Sequence, residues 1–185
     1  MTKELSFRKK KRLTSQVLHR IEAYLVGCVS AALLGLILTA SFGYTATNVG
    51  VSMENSLVHG QKVLVNRVAY LLFSPGRDDV VIFKAGGTHT YIKRVVAVPG
   101  DTVLIQDGYL YVNGEQEQGD YEKMADAGLL ETEITLGENE YIVLGDNRNN
   151  SEDSRTSSVG IVEKSQISGK VWLALPYGGS RMKPL

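Results

Sequence analysis

Residues 91–112 read YIKRVVAVPGDTVLIQDGYLYV and hold three short apolar runs separated by turn residues. Pro99-Gly100 ends the first run, and Asp107-Gly108 joins the second, Thr102–Gln106, to the third, Tyr109–Val112. An Asp-Gly pair between two β-type runs is a strong hairpin signal. The stretch therefore predicts three strands, of which the last two form an antiparallel hairpin.

Similar strand-like runs lie on both sides of this stretch. They are Lys62–Asn66, Val80–Phe83, Tyr141–Leu144 and Lys170–Leu175. Short strands with turns between them predict a mainly β fold, an antiparallel barrel or packed sheets. The acidic, polar stretch Glu115–Glu140 is the exception, and we expect a surface excursion there, with a short helix around Tyr121–Leu130 and no part in the chemistry.

The N-terminal part has a different pattern. Residues 23–42 read AYLVGCVSAALLGLILTASF, without a charge, and as a helix they would be about 30 Å long, the hydrocarbon thickness of a bilayer. Residues 1–22 carry seven basic and two acidic side chains, a net charge of +5 that the rest of the chain balances. Because basic flanks stay in the cytoplasm, we predict a single-pass cell-membrane protein. Its parts are a cytoplasmic basic segment (1–21), a transmembrane signal-anchor helix (22–44) and an extracytoplasmic β-rich domain (45–185).

Other interpretations of this N-terminal part remain open. A cleaved secretory signal peptide also has a basic start, although its apolar run is usually about 7–15 residues long. A buried core helix is a second alternative, which the length of the uncharged run disfavours. The basic cluster is also the composition of a nucleic-acid arm, but its place beside an apolar span favours the membrane.

Composition and spacing exclude several classes of function. With 43% hydrophobic and 22% charged residues, the chain is not a disordered one. Its single cysteine, Cys28, lies in the apolar run, so neither an intrachain disulfide nor a thiolate nucleophile is expected. His19, His59 and His89 lie far apart, without metal-ligand spacing, and phosphate-binding glycine loops are absent. We therefore predict no metal and no cofactor, while sequence order alone leaves a Ser-His-Asp triad open.

Lys93 lies inside the first of the three predicted strands. Alternate side chains of a strand share a face, so Lys93 is aligned with Tyr91, Val95 and Ala97. Burial lowers the pKa of a lysine, and a neutral amine can accept a proton from a serine hydroxyl. The pattern fits a buried general base, and it also fits a lysine that points to solvent from an edge strand.

Two further segments carry residues suited to the same chemistry. Ser52 stands between Gly50-Val51 and Met53, which indicates a tight, partly buried turn soon after the apolar run. Residues 145–155 read GDNRNNSEDSR and contain five charged groups in eleven residues. Such a loop is either a turn held by side-chain to backbone hydrogen bonds or an ion-pair network that fixes a site.

These three segments, in this order behind an apolar anchor, resemble the type I signal peptidases (leader peptidases) over essentially the whole chain. The matching pieces are Ser52-Met53 with Leu57 for the nucleophile box, Lys93–Val96 with Pro99–Asp101 for the general-base box, residues 145–155 for the third box, and Asp79–Phe83 and Ile167–Lys170 for two further strands. The third box is nearly complete and is the most specific of these signals.

The resemblance implies a membrane-bound serine endopeptidase. It makes Ser52 the nucleophile that forms an acyl-enzyme and Lys93 the general base, with Ser151 orienting the amine by a hydrogen bond. The backbone N–H of Ser52 would supply part of the oxyanion hole, and the N–H of Gly50 is a candidate for the second donor. The residues that would hold the site by ion pairing are Asp146, Arg148, Asp153 and Arg155.

The substrates that the resemblance implies are exported pre-proteins, cut after a small-x-small motif. The predicted partners are signal peptides and the lipid bilayer, with no nucleic acid. The eight residues from residue 44 to Ser52 extend less than ~29 Å, so we expect the site near the outer membrane surface. The substrate would bind by strand addition beside Ser52 and Lys93. Asn55 departs from the family, many members of which have proline there, and this predicts a looser turn.

Two other functions fit parts of the sequence. A Ser-Lys protease that cuts only itself, like the SOS repressors, would use the same pair of residues. Such proteins are soluble and carry an N-terminal DNA-binding helical domain, so the apolar span speaks against this alternative. A membrane-tethered β module without activity could instead bind exported chains, and replacing Ser52 by alanine would separate a binder from a protease.

Overall fold

The computed structural model of the protein describes residues 15–42, 44–87, 89–119, 121–179 and 181–185, with residues 40–42 described by their backbone alone. The chain divides between Thr39 and Ala40 into two units. The first unit holds most of an apolar helix, and the second holds the β-structure and the candidate site.

Helix α1 spans Ser15–Phe42. Its portion Ser15–Thr39 is long and apolar enough to cross a membrane, by length and composition. Its leucine, isoleucine and valine side chains are exposed on the helix, as befits a helix whose apolar surface is covered by lipid rather than by protein. The Thr39 hydroxyl donates to the Gly35 carbonyl at 2.8 Å, so this polar group is satisfied within the helix.

The second unit is built from two antiparallel sheets. The strands are β1 (Tyr44–Thr47), β2 (Lys62–Asn66), β3 (Val80–Ala85), β4 (His89–Ala97), β5 (Thr102–Gln106), β6 (Tyr109–Val112), β7 (Glu115–Gln116), β8 (Ile134–Thr135), β9 (Glu140–Leu144), β10 (Val162–Glu163), β11 (Ile167–Ala174) and β12 (Lys183–Pro184). The shorter helices are α2 (Ala69–Leu72) and the 3₁₀ turns Gly128–Glu131 and Lys164–Gln166. The large sheet has the order β1-β2-β11-β3-β4-β9-β10, with β12 beside β11, and the small sheet has the order β7-β6-β5-β8.

The central strands of the large sheet are buried on both faces. In β3, Val80 and Ile82 pack into one apolar cluster, and the alternating residues Val81 and Phe83 pack into another. A third cluster joins the small sheet to the end of β9. This explains why these strands read as continuous apolar runs rather than alternating ones, since a strand covered on both faces needs no polar side.

The mainly β fold with an N-terminal apolar helix is confirmed, and three predicted strands, at 62–66, 102–106 and 109–112, have the observed bounds. The interpretation of Glu115–Glu140 was wrong in two respects. The segment buries Met124, Leu130 and Leu136 in the core, and around the predicted helix the described residues contain only the 3₁₀ turn Gly128–Glu131. Gly128 has a φ of +54°, and the Leu129 N–H donates to the Arg155 carbonyl at 2.9 Å. The segment therefore packs against residues near 155 instead of forming the predicted helix.

Candidate active site

Strand pairing brings the three predicted segments together. Strands β4 and β9 pair with Arg94 opposite Leu144, so the loop that begins at Gly145 starts beside the Lys93-Arg94 step. The same loop reaches the Ser52 segment, because the Asn147 N–H donates to the Ser52 carbonyl at 3.1 Å. The Asn147 side chain adds a bond to the Val51 carbonyl at 3.2 Å.

The Ser52 segment and the loop 145–155 come close to each other at Gly145. A β-carbon added there would lie 2.3 Å from Ser151 Oγ and 2.5 Å from the Ser52 carbonyl oxygen. Both distances are far below a van der Waals contact, so the backbone of the Ser52 segment approaches the loop only because residue 145 has no side chain.

Ser52 and Lys93 line one open cleft of about 420 Å³. One wall of the cleft is strand β1 with the residues that follow it, Tyr44–Val49, and the other is the part of β4 from Thr90 to Lys93. Ile82 from β3 lies at its base. Ser52 is half-buried, so its hydroxyl belongs to a position that a ligand in the cleft can contact.

Lys93 is buried, with 2% of its surface exposed, so of the two interpretations that its strand position left open, the structure shows the buried lysine. It pairs with Val81 of β3, and the face that it shares with Tyr91 and Val95 packs with Phe83. Burial lowers the pKa of Lys93 from 10.5 to about 8, against the opposing effect of the Asp153 and Glu152 carboxylates. A neutral amine is therefore accessible near physiological pH.

Asp153 and Arg155 pair with each other behind the site. The guanidinium donates to both carboxylate oxygens, at 2.8 and 2.9 Å, and the Gly145 N–H adds a third bond to Asp153 at 3.1 Å. Burial, the largest single influence, would raise the pKa of Asp153, but the bonds and charge of Arg155 together with Ser151 and the Gly145 N–H outweigh it and hold the pKa below its usual value. The charged form of Asp153 is thus fixed at the base of the loop, and Arg155 also donates to the carbonyls of Asp126 and Arg148.

Asp146 pairs with Arg94, a residue to which the sequence analysis gave no role. Two nearly equal bonds of 2.8 Å join the guanidinium to both carboxylate oxygens. Arg94 also donates to the Asp78 carbonyl at 2.9 Å and to the Ser56 hydroxyl at 3.3 Å. It therefore ties the strand that carries Lys93 to the third segment and to the loop that carries Ser52. Its position next to Lys93 was the signal that could have identified it.

Arg148 pairs with Glu117, in the segment that was predicted to be a surface excursion. The bond lengths are 2.7 and 2.9 Å, and the guanidinium lies 3.8 Å from the centre of the Tyr121 ring. Arg148 is almost fully buried. Glu117 and Tyr121 therefore hold one side of the third segment, and the predicted ion pairing of Arg148 has its partner outside that segment.

Ser151 lies beside Gly145, but it does not form the hydrogen bond to the Lys93 amine that the resemblance implies. Its hydroxyl is buried and has no hydrogen-bond partner among the residues that the structure describes, so a bond to the Lys93 amine is not formed in this conformation. The hydroxyl nevertheless faces the Asp153 carboxylate closely enough to help lower its pKa. An orientating role for Ser151 stays a prediction.

The Ser52 turn is hydrogen-bonded rather than loose. The N–H groups of Ser56 and Leu57 donate to the Met53 carbonyl at 3.0 and 2.7 Å, and Met53 and Leu57 are buried. Asn55 has a φ of +82°, a left-handed conformation that asparagine tolerates better than most residues. The Gly50 N–H donates to Nδ1 of His59 at 2.9 Å, so in this structure the candidate second oxyanion donor already has a partner.

Within the described ranges, no three His, Cys, Asp or Glu side chains converge in a way that could hold a metal ion. The charged residues around the site are paired with one another instead. The arrangement offers a hydroxyl, a buried amine and a rigid ionic frame, which are the elements of nucleophilic and general-base chemistry.

Known proteins resemble this chain along most of its length. A family profile described as "Signal peptidase, peptidase S26" matches residues 21–175. Signal peptidase IB of Staphylococcus aureus (strain COL) is 34% identical over 163 residues, covering 77% of this chain and 83% of the relative. Signal peptidase I of Bacillus amyloliquefaciens is 31% identical over 164 residues, covering 84% of this chain and 85% of the relative.

A crystal structure of a signal peptidase I from Enterococcus faecalis is 28% identical, covers 54% of this chain and 97% of that chain, and has a TM-score of 0.43. The sequence relatives and the profile carry the assignment. Because the profile match spans well over half of the chain and the relatives align over most of their own length, the chain belongs to the signal peptidase family, peptidase S26, and is a peptidase.

Proposed function

We propose that this protein is a membrane-bound serine endopeptidase that removes signal peptides from exported pre-proteins, with Ser52 as nucleophile and Lys93 as general base. The observation that carries the proposal is the placement of Lys93. It is a buried lysine with a pKa of about 8 that lines the same cleft as the Ser52 turn. The related signal peptidases of similar length support the substrate class.

The lowered pKa gives the amine its function. At pH 7, a lysine with a pKa of about 8 is neutral in roughly one molecule in ten, about 300 times more often than a lysine with a pKa of 10.5. The neutral amine accepts the proton of the Ser52 hydroxyl as Oγ attacks the scissile carbonyl, and the resulting ammonium then protonates the leaving amine. The amine next removes a proton from water, which cleaves the acyl-enzyme and regenerates Ser52.

The ion pairs around the site keep Ser52 and Lys93 in position. Arg94 with Asp146 holds the third segment against β4, Arg155 with Asp153 braces the segment internally, and the Ser52 carbonyl is held from the same segment by Asn147. The backbone N–H of Ser52 is left as an oxyanion donor, the kind of group whose removal costs about 3–4 kcal/mol of transition-state stabilisation in other acyl-transfer enzymes. Ser151, buried beside Gly145, would orient the amine once substrate is bound.

The cleft suits an extended peptide with small side chains. In the described residues β1 pairs on one side only, with β2, so its other edge offers free backbone groups to an added strand. The lining of the cleft includes the apolar side chains of Ala46, Ile82 and Ile92, which suit contact with alanine-sized side chains. We therefore propose cleavage after small-x-small motifs.

The apolar helix α1 would hold this activity at the membrane. The basic cluster before residue 22 predicts a cytoplasmic N-terminus, and the β-rich unit would then lie outside, in the compartment where signal peptides are cut. The domain limits 1–21, 22–44 and 45–185 are part of this proposal.

The test is cleavage of a model pre-protein in proteoliposomes by wild type, Ser52→Ala and Lys93→Ala. Matched controls are Ser165→Ala and Lys84→Ala, two exposed positions. We expect cleavage after a small-x-small motif by wild type and by both controls, and loss of activity in both site variants. Cleavage by Lys93→Ala at a comparable rate would refute the mechanism. An inert wild type that still binds pre-protein would favour a tethered binding module.

A further inference from the structure

The loop that carries Ser52 is fixed firmly at its two ends. The Asn48 N–H donates to the Gln61 carbonyl, and the Gly60 N–H donates to the Asn48 carbonyl, both at 2.8 Å. The side chains of Asn48 and Gln61 are buried, and Gln61 is bonded to the Leu175 carbonyl of the neighbouring chain segment at 2.8 Å. Asn48, Gly60 and Gln61, which form the neck of the loop, are therefore part of the folded core.

The three residues between this neck and Ser52 are much less anchored by packing. Val49 is 78% exposed and Val51 is also exposed, while Gly50 has no side chain and a φ of +99°. Because glycine has access to more of φ/ψ space than any other residue, this stretch needs an explicit contact to hold one conformation. The contact that the structure provides at Gly50 is the bond from its N–H to Nδ1 of His59, at 2.9 Å.

We infer that His59 is a positioning residue for the nucleophile, acting through Gly50. This inference rests on the proposed function of Ser52. Gly50 lies two residues before Ser52, so its bond to His59 fixes the start of the path into the attacking residue, while Asn147 holds the Val51 and Ser52 carbonyls on either side of Ser52. His59 does not line the cleft, so it acts through the backbone and not on the substrate.

The geometry specifies which part of the imidazole matters. Gly50 donates, so Nδ1 must carry its lone pair and the ring proton must lie on Nε2. Asparagine carries its side-chain oxygen at the same distance from the backbone as Nδ1, whereas glutamine carries its oxygen one bond farther out. His59→Asn therefore keeps an acceptor at the position that faces the Gly50 N–H, His59→Gln moves the acceptor away from that position, and His59→Ala removes it.

The same bond bears on the oxyanion hole. The Gly50 amide has a single hydrogen, so it cannot donate fully to His59 and to an oxyanion in the cleft at the same time. A positioning role for His59 therefore predicts that removing its acceptor lowers the rate. If Gly50 served as an oxyanion donor that His59 held back, removing the acceptor would raise the rate.

The experiment measures steady-state cleavage of the model pre-protein by the full chain in proteoliposomes. We expect His59→Ala to lower kcat about three- to tenfold, the factor that corresponds to one net hydrogen bond, and to change KM less than about twofold. His59→Asn should recover to within about twofold of wild type, and His59→Gln should not. Val58→Ala, an exposed neighbour in the same loop, is the matched control and should behave as wild type.

Amide hydrogen exchange by mass spectrometry gives a readout that does not depend on activity. The peptide that contains Gly50 should exchange faster in His59→Ala and His59→Gln than in wild type and His59→Asn. An unchanged or raised kcat in His59→Ala, equal rescue by asparagine and glutamine, or unchanged exchange would each overturn the inference. If wild type itself does not cleave, the proposed function fails, and the exchange data alone then decide whether His59 holds the loop.

Discussion

Replacing Lys93 by methionine should abolish cleavage and make the protein more stable. The side chain is buried, and moving its pKa from 10.5 to about 8 corresponds to about 3 kcal/mol against the charged form, at about 1.4 kcal/mol for each tenfold change. Methionine has a similar length and no charge, and swaps of this kind cost less than about 1.5 kcal/mol in packing. Lys93→Met should therefore gain about 2–3 kcal/mol at pH 7.

The gain should depend on pH in a defined direction. The folded pKa lies below the unfolded one, so between pH 8 and 10.5 the unfolded chain keeps a proton that the folded chain has released. Wild-type stability therefore rises with pH across this window. The methionine variant lacks this titration, so its advantage should shrink by about 2–3 kcal/mol between pH 7 and pH 10, to close to zero.

The assay is urea unfolding of the full chain in detergent, followed by the fluorescence of Trp172, the single tryptophan, at pH 7 and pH 10. Lys84→Met on the adjacent strand, where the lysine is exposed, is the control and should change little at either pH. A Lys93→Met variant no more stable than wild type at pH 7, or equally stabilised at both values, would refute the burial argument.

Three further outcomes follow from the site. The kcat/KM of wild type should rise with pH through about 8 as the amine of Lys93 loses its proton, and a profile without an acid limb down to pH 5 would count against lysine as the base. Gly145→Ala should lower kcat at least about a hundredfold, because the new β-carbon displaces the nucleophile segment, whereas Gly76→Ala, where the added atom meets only an ordinary contact, should leave cleavage unchanged. Arg148→Lys should lower the urea midpoint by an amount equivalent to about 2–3 kcal/mol, since lysine replaces neither the paired bonds to Glu117 nor the ring stacking, and Glu117→Gln should lower it less.

Strands with a local signature were predictable from sequence. The hairpin Thr102–Val112 has its Asp-Gly turn in the chain itself, and both central residues of that turn have positive φ, as such a two-residue connection requires. Strand β1, by contrast, was not predicted. Its four residues, YTAT, have little apolar pattern, and it is a strand because it pairs with β2 along its whole length. That pairing is a tertiary property which no short window of sequence contains.

The same distinction between local and tertiary signals applies to the residues of the site. Burial of Lys93 was one of two outcomes that its alternation with Tyr91 and Val95 left open, and the packing of β4 within the sheet decides it. The partners of Asp146 and Arg148 were not, since Arg94 and Glu117 lie about 50 and 30 residues away along the chain. Charged groups of either sign are common in loops, so the pairs that form are selected only by the register of β4 against β9 and by the placement of Glu117 and Tyr121 beside Arg148.

The resemblance implies that many signal peptidases carry proline where this chain has Asn55, whose left-handed backbone is one that proline cannot adopt. Proline holds φ near −65°, whereas Asn55 stands at +82°, so the two residues belong to turns of different shape. Asn55→Pro as a single substitution should therefore destabilise this turn, because neighbouring residues must change with it. An inhibitor or antibody shaped to the proline-containing turn would meet a different surface here, and selectivity between the two groups of enzymes can be sought at this turn.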